Sequence, residues 1–217
     1  MFVKLLQNID TLKYHLYPDD VLTPDEISKY NDLLSNLVTL KSKAQTSKHD
    51  YCPYDNFTHD FKGGRFRVRP STVRGFSVSL ENADITIHLK RIFSILDTSP
   101  FAKIEFRAKF LQRFGYLDAV KECNRFLRDN IISHFVIKIS ELHLHCDIQG
   151  YKFTTLDFHR IQTRTRNNRI YEDDNLIDSK YFMGRSFQGF MLGSSDYLLR
   201  IYNKTKEIKK FPDKSYI

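Results

Sequence analysis

The sequence predicts an α+β fold: a largely antiparallel, twisted sheet flanked by helices, with an N-terminal helical arm. Two observations predict it. Apolar residues recur every three or four positions within residues 22–46, and from Arg65 onward the period changes to strict alternation. With 217 residues, 41% of them hydrophobic and 14% aromatic, the chain is long enough and apolar enough to bury a core.

"LTPDEISKYNDLLSNLVTLKSKAQT" opens on Thr23, Pro24, Asp25 and Glu26, a helix start, and then places Ile27, Tyr30, Leu33, Leu34, Leu37 and Leu40 along one face. The following "SKHDYCPYDNFTHDFKGG" is polar and rich in turn formers and reads as a linker. The expected division is therefore a helical arm and linker over 1–62 and a main domain over 63–217. In "RFRVRP", "GFSVSLE" and "ADITIHLK" apolar and polar residues alternate as in half-buried antiparallel strands, and "AKIEFRAKF" is a further strand candidate. "YLDAVKECNRFLRDNI" carries Leu117, Val120, Phe126 and Leu127 at helical positions. "SHFVIKISELHLHCDIQG" reads as one long strand ending at Gly150, "RIQTRTRNNRIYEDDNLID" as a basic loop, and "FQGFMLG" and "DYLLRIYNK" as two last strands.

Lys and Arg number 34 against 26 Asp and Glu, a net charge of +8, which favours polyanionic partners. Three widely spaced cysteines form no CxxC pair, so neither a zinc site nor a disulfide framework is predicted, and a reducing cytoplasm is the expected home. No segment approaches eighteen consecutive apolar residues, and no signal peptide or membrane partner is expected. "KGGRF" lacks the following GK[ST] of a P-loop, and "MLGSSD" does not meet GxSxG.

Three clusters carry chemistry. On a strand, Glu141, His143, His145 and Asp147 share one face, a donor set suited to Mg²⁺ or Mn²⁺ and also to Zn²⁺; a solvated strand face is the other reading. Arg200, Tyr202 and Lys204 likewise project together. A phenol titrates near 10, so as a nucleophile it needs neighbouring cations, which Arg200 and Lys204 supply, while Glu207 reaches back toward a metal. The plain alternative is a tyrosine packed on a sheet. Arg160, Arg164, Arg166 and Arg169, interleaved with Phe158, His159 and Tyr171, suit phosphate contact and base stacking on single-stranded nucleic acid, or form a solvated loop. Arg185 joins this basic set, and the face of Arg65, Arg67 and Arg69 extends it.

"SELHLHCDIQGY", followed by "GRSFQGFMLGSSDYLLRIYNKTKEIKK", resembles the replication initiation factor family, the Rep proteins of rolling-circle plasmids and phages and the related relaxases of conjugative elements. "STVRGFSVSLENADITIHLK" is similar to the early strands of phage and mobile-element members. The resemblance runs from about Arg65 to the C-terminus. It implies a metal-dependent endonuclease and strand transferase that nicks one DNA strand at an origin through a 5′-phosphotyrosyl intermediate and frees a 3′ hydroxyl for extension. It further implies Tyr202 as nucleophile, with Tyr197 the second choice, and Asp147 as ligand of a divalent ion (Mg²⁺ or Mn²⁺). Lys204 and Arg200 would steady phosphate charge, Glu207 would be metal-associated, and His143 stands where many members carry an acidic residue. The implied partners are a single-stranded or hairpin DNA origin, a host helicase or polymerase, and a second copy of the chain, in a bacterial cytoplasm. Members of the family continue past "FPDKSYI" with another strand-rich segment, so a C-terminally incomplete copy is implied. The alternative function is a catalytically degenerate, origin-binding or regulatory remnant; a third is a structural module whose basic surface meets a protein.

Overall fold

Alternation becomes sheet in a computed structural model that describes residues 4–46, 57–162, 168–172, 175–177, 187–194 and 197–203. The element order is β1 (Lys4–Pro18), α1 (Pro24–Thr46), β2 (Thr58–Phe61), β3 (Gly64–Val68), β4 (Val78–Glu81), β5 (Ile85–Leu89), β6 (Ala102–Phe106), α2 (Ala108–Phe114), α3 (Tyr116–Asn130), β7 (Phe135–Gln149), α4 (Thr155–Arg160), β8 (Asn168–Glu172), β9 (Asn175–Ile177), β10 (Phe187–Ser194) and β11 (Tyr197–Tyr202). This is the α+β class. The strands form a seven-stranded sheet, in the order β2-β3-β4-β5-β6-β1-β7, and a four-stranded sheet, β11-β10-β8-β9. Every pairing with an assigned register is antiparallel. The chain divides into a larger unit, residues 7–146, and a smaller one made of residues 1–6 and 147–217. The boundary expected at residue 62 falls inside the larger unit.

In the larger unit the two-residue period sorts the sheet into two chemically different faces. Across five strands, Val68, Leu80, Ile87, Ile104 and Tyr14 are successive register partners, flanked by the row Val78, Leu89, Ala102, Leu16. All are buried and join α1 residues Tyr30, Leu34 and Leu37 and α3 residues Ala119, Cys123 and Leu127 in one core. At roughly 1.5–3 kcal/mol per fully buried aliphatic or aromatic side chain, this face is the main source of stability. α1 starts where its sequence says it should. Thr23 caps it, with the Glu26 carboxylate accepting from the Thr23 N–H and hydroxyl at 2.9 Å. Ser133 donates to the same carboxylate, and together these bonds hold the Glu26 carboxyl down to about 2.

The expected arm is thus integral to the larger unit. Tyr30 donates from its hydroxyl to the Lys90 carbonyl at 2.7 Å, and Asn31 donates to the Ile92 carbonyl at 2.9 Å. Residues read only as the start of the arm form β1, because Leu12, Tyr14 and Leu16 alternate into the core. Part of the expected linker forms β2, paired to β3 through a tight turn in which Gly63 takes φ +99°, a conformation that L side chains rarely adopt. α3 buries Ala119, Cys123 and Leu127, while the expected core residue Leu117 is exposed. Cys123 lies against Tyr14, and burial pushes its thiol up to about 12.

The opposite face carries polar side chains in register. Arg67, Glu81, Thr86, Glu105 and Lys13 form one row, and Ser79, His88, Lys103 and His15 the next. Lys13 extends its row to Glu141 on β7 at 2.8 Å. His88 is 1% exposed, with Nδ1 2.7 Å from Ser79 Oγ and Nε2 3.6 Å from Glu105 Oε1. The charged form is disfavoured mainly by burial; Lys103 and Arg69 push the same way and Glu105 opposes them, so His88 titrates below the ordinary 6.5. His15 is depressed for the same leading reason, burial, with Lys103 adding to it. In the unfolded chain these imidazoles protonate at higher pH than in the fold. Their contribution is therefore present above 6.5 and is lost as pH falls through the lower folded values. Urea unfolding should show stability declining as pH falls below 6.5, and His88→Gln should flatten that decline; an identical slope in the variant would show that His88 does not contribute.

Candidate functional site

In the smaller unit the β10–β11 hairpin positions the tyrosine of the basic cluster. Met191 is the register partner of Arg200 on one side and of Arg169 on the other; Gly189 similarly stands between Tyr202 and Tyr171. Phe190 and Leu192 are buried, and Phe158 of α4 meets the Phe190 ring edge-on at 5.3 Å. Alternation along β11 puts Arg200 and Tyr202 on one side and Ile201 on the other. Tyr202 is 43% exposed, at the end of the strand that borders its sheet, and Arg200 is exposed beside it. Tyr197, the second choice, is 88% exposed at the other end of β11, away from Arg200.

Gly189 explains how the strands meet at Tyr202. A Cβ at this position would lie 2.1 Å from the Ile201 carbonyl oxygen and 2.7 Å from Tyr202 Cα. Its φ of +153° also suits glycine. The close approach fixes the backbone that carries the phenol.

α4 begins with a second capping box, in which the Asp157 carboxylate accepts from the Thr154 N–H at 2.7 Å and hydroxyl at 2.9 Å. Tyr151 donates to the other oxygen at 2.5 Å, and these bonds hold the Asp157 carboxyl below its usual range. Arg160 ends this helix. The segment read as a basic loop contains two strands, β8 and β9, and Arg169 lies in β8. Lys204, Glu207, Arg164, Arg166 and Arg185 lie outside the described residues.

β7 runs unbroken through Phe135–Gln149, so the long strand expected from the sequence is present, with a turn at Gly150, φ +92°. His143 stays within the larger unit, its Nε2 3.2 Å from Glu141 Oε1, whose other oxygen accepts from Lys13. Asp147 is the first residue of the strand to belong to the smaller unit. Among the described residues no three His, Cys, Asp or Glu side chains gather as a metal site. The donor types suit Mg²⁺ or Mn²⁺, but among the described residues His143 and Asp147 are not assembled with a third ligand. Ile139, Leu142 and Leu144 are exposed on β7, which ends the sheet order beside β1.

Two groupings escaped the sequence reading. Ser79, His88 and Glu105 have the residue types of a hydrolytic triad, yet Ser79 is 0% exposed and reaches no substrate, so the trio is internal packing. Around Glu81, three guanidiniums converge: Arg67, Arg69 with Nε 3.6 Å from Oε2, and Arg107 at 3.3 Å from the same oxygen. Arg107 comes from after β6, a separation that no local motif signals.

Gly189→Ala tests the close approach. It should destabilise the chain by about 1–3 kcal/mol, the range for a forced backbone conflict, and change the proteolytic susceptibility of the β10–β11 hairpin. Unchanged melting and cleavage would show that the hairpin relaxes freely.

No helix among the described residues is long and apolar enough to cross a membrane. No family model matches the chain, and neither a curated protein nor a solved structure matches it.

Proposed function

We propose that this protein is a DNA strand-nicking replication initiator that uses Tyr202 as its nucleophile. One observation carries the reading: Tyr202 is an accessible phenol at the end of a border strand, with the Arg200 guanidinium on the same side of that strand. The resemblance of "LLRIYNKTKEI" to the replication initiation factor family supplies the reaction class.

In this reading the Tyr202 oxygen attacks the scissile phosphorus. The new O–P bond forms as the bond to the 3′ oxygen breaks, leaving a 5′-phosphotyrosyl link and a 3′ hydroxyl once that oxygen takes up a proton. Arg200 offsets charge on the phosphoryl oxygens as it builds, and Lys204 adds its charge to the same task. Arg160 and Arg169, with Arg164, Arg166 and Arg185, hold the single strand or hairpin through its phosphates. A divalent ion at Asp147 would polarise the phosphate when bound. The origin-binding remnant remains the second reading, favoured by the absence of an assembled ligand set among the described residues.

Covalent capture on a labelled single-stranded oligonucleotide pool, with and without Mn²⁺, tests the assignment. The expected result is a denaturant-resistant adduct that Tyr202→Phe abolishes. Salt-sensitive binding with no adduct would establish the remnant, and an adduct that persists in Tyr202→Phe would move the nucleophile to Tyr197.

A further inference from the structure

β7 closes the order of the larger sheet, so among the described residues one of its edges is paired to β1 and the other meets no strand. Such an edge presents a row of backbone N–H and C=O groups to any chain that can run alongside it. Its side chains add to the exposure: Ile139, Leu142 and Leu144 are 65%, 45% and 75% exposed. The usual devices that blunt a sheet border are missing from residues 138–146, which contain neither proline nor glycine. Their single lysine, Lys138, has its ammonium over the Tyr17 ring of β1 at 4.4 Å, on the side of its own sheet.

The chemistry of the two faces of β7 says which strand completes this border. Lys13 donates to Glu141 at 2.8 Å, so Glu141 lies on the polar face of the sheet, and the other Glu141 oxygen is 3.2 Å from His143 Nε2. Alternation then sends Leu142 and Leu144 to the opposite face, the side of Leu12, Tyr14 and Leu16. A second copy of β7, run antiparallel about a two-fold axis through Leu142, continues both faces at once. Glu141 of each copy then stands opposite His143 of the other, and Ser140 opposite Leu144. Leu142 meets its own counterpart, with the two Leu144 side chains diagonal to it, so four leucines gather on one face. Two carboxylates and two imidazoles alternate on the other, flanked by the two Lys13 ammoniums. Neighbouring registers lose this match: an axis through Glu141 sets carboxylate against carboxylate, and one through His143 sets imidazole against imidazole. The border is therefore complementary to itself in one alignment.

We propose that β7 is a homodimer interface, at which two copies of the chain pair antiparallel about Leu142 and join their seven-stranded sheets. It does not rest on the Tyr202 reading, which concerns a strand of the other sheet.

Sedimentation equilibrium of the full chain across micromolar concentrations provides the test, with amide hydrogen exchange to locate the interface. A species of twice the chain mass should form, and exchange across residues 138–146 should slow as it does. Leu142→Lys, which opposes two like charges at the axis, should leave only monomer. His143→Glu should raise the dimer Kd about tenfold, the scale of two opposed charge pairs altered per dimer, whereas His143→Lys should hold or lower it. Both positions are exposed, so each variant should melt like the parent chain when both are dilute. A chain that stays monomeric throughout overturns the proposal. So does a dimer that survives Leu142→Lys, or one that responds alike to glutamate and lysine at position 143.

Discussion

The larger unit depends on one constraint, the register of five antiparallel strands. A single set of pairings aligns Val68, Leu80, Ile87, Ile104 and Tyr14 on the core side and Arg67, Glu81, Thr86, Glu105 and Lys13 on the other. A slip of one residue in any strand would send its apolar set outward and its charges into the core. The two rows contribute unequally. Apolar burial supplies most of the free energy, while partly exposed ion pairs such as Lys103–Glu105 are worth about 0–1 kcal/mol each. What the ionic row adds is selectivity: like charges would oppose one another in a shifted alignment.

How much of this was legible depends on how local each signal is. The α1 cap at Thr23 and Glu26 is contained in four residues, and the alternation in "RFRVRP", "GFSVSLE" and "ADITIHLK" in six to eight, so both could be read directly. β1 was equally written in Leu12, Tyr14 and Leu16, but a mixed, polar-flanked beginning hid it. β2, β8 and β9 are four, five and three residues long, too short to show a period of their own, and each is paired to a partner strand. At the candidate site, the shared side of Arg200 and Tyr202 follows from spacing alone. That Gly189 lets β10 approach Tyr202, or that Arg107 meets Arg67 at Glu81, is a property of pairing between distant segments.

The fold also discriminates among chemically similar groups. Tyr14 and Tyr30 are sealed in the core, and burial raises both phenols above the ordinary value of 10. Their hydroxyls are committed, Tyr14 to Asn124 at 2.9 Å and Tyr30 to the Lys90 carbonyl. Neither is available to a substrate. Tyr202 is 43% exposed, on the same side of its strand as Arg200. Accessibility separates Tyr202 from Tyr14 and Tyr30, though not from Tyr116, Tyr151 and Tyr197, which are more exposed still.

The place of β1 in the sheet order has a consequence for biosynthesis. β1, synthesised before the strands it pairs with, lies between β6 and β7, and Lys13 finds its register partner only at Glu105. The hairpins β2–β3, β4–β5 and β5–β6 close over short loops as they emerge, whereas β1 must wait for a segment some ninety residues downstream. Until then Leu12, Tyr14 and Leu16 have no sheet to cover them, and loop-closure entropy makes their docking slow. The growing chain therefore carries Leu12, Tyr14 and Leu16 without their sheet until β6 has been made.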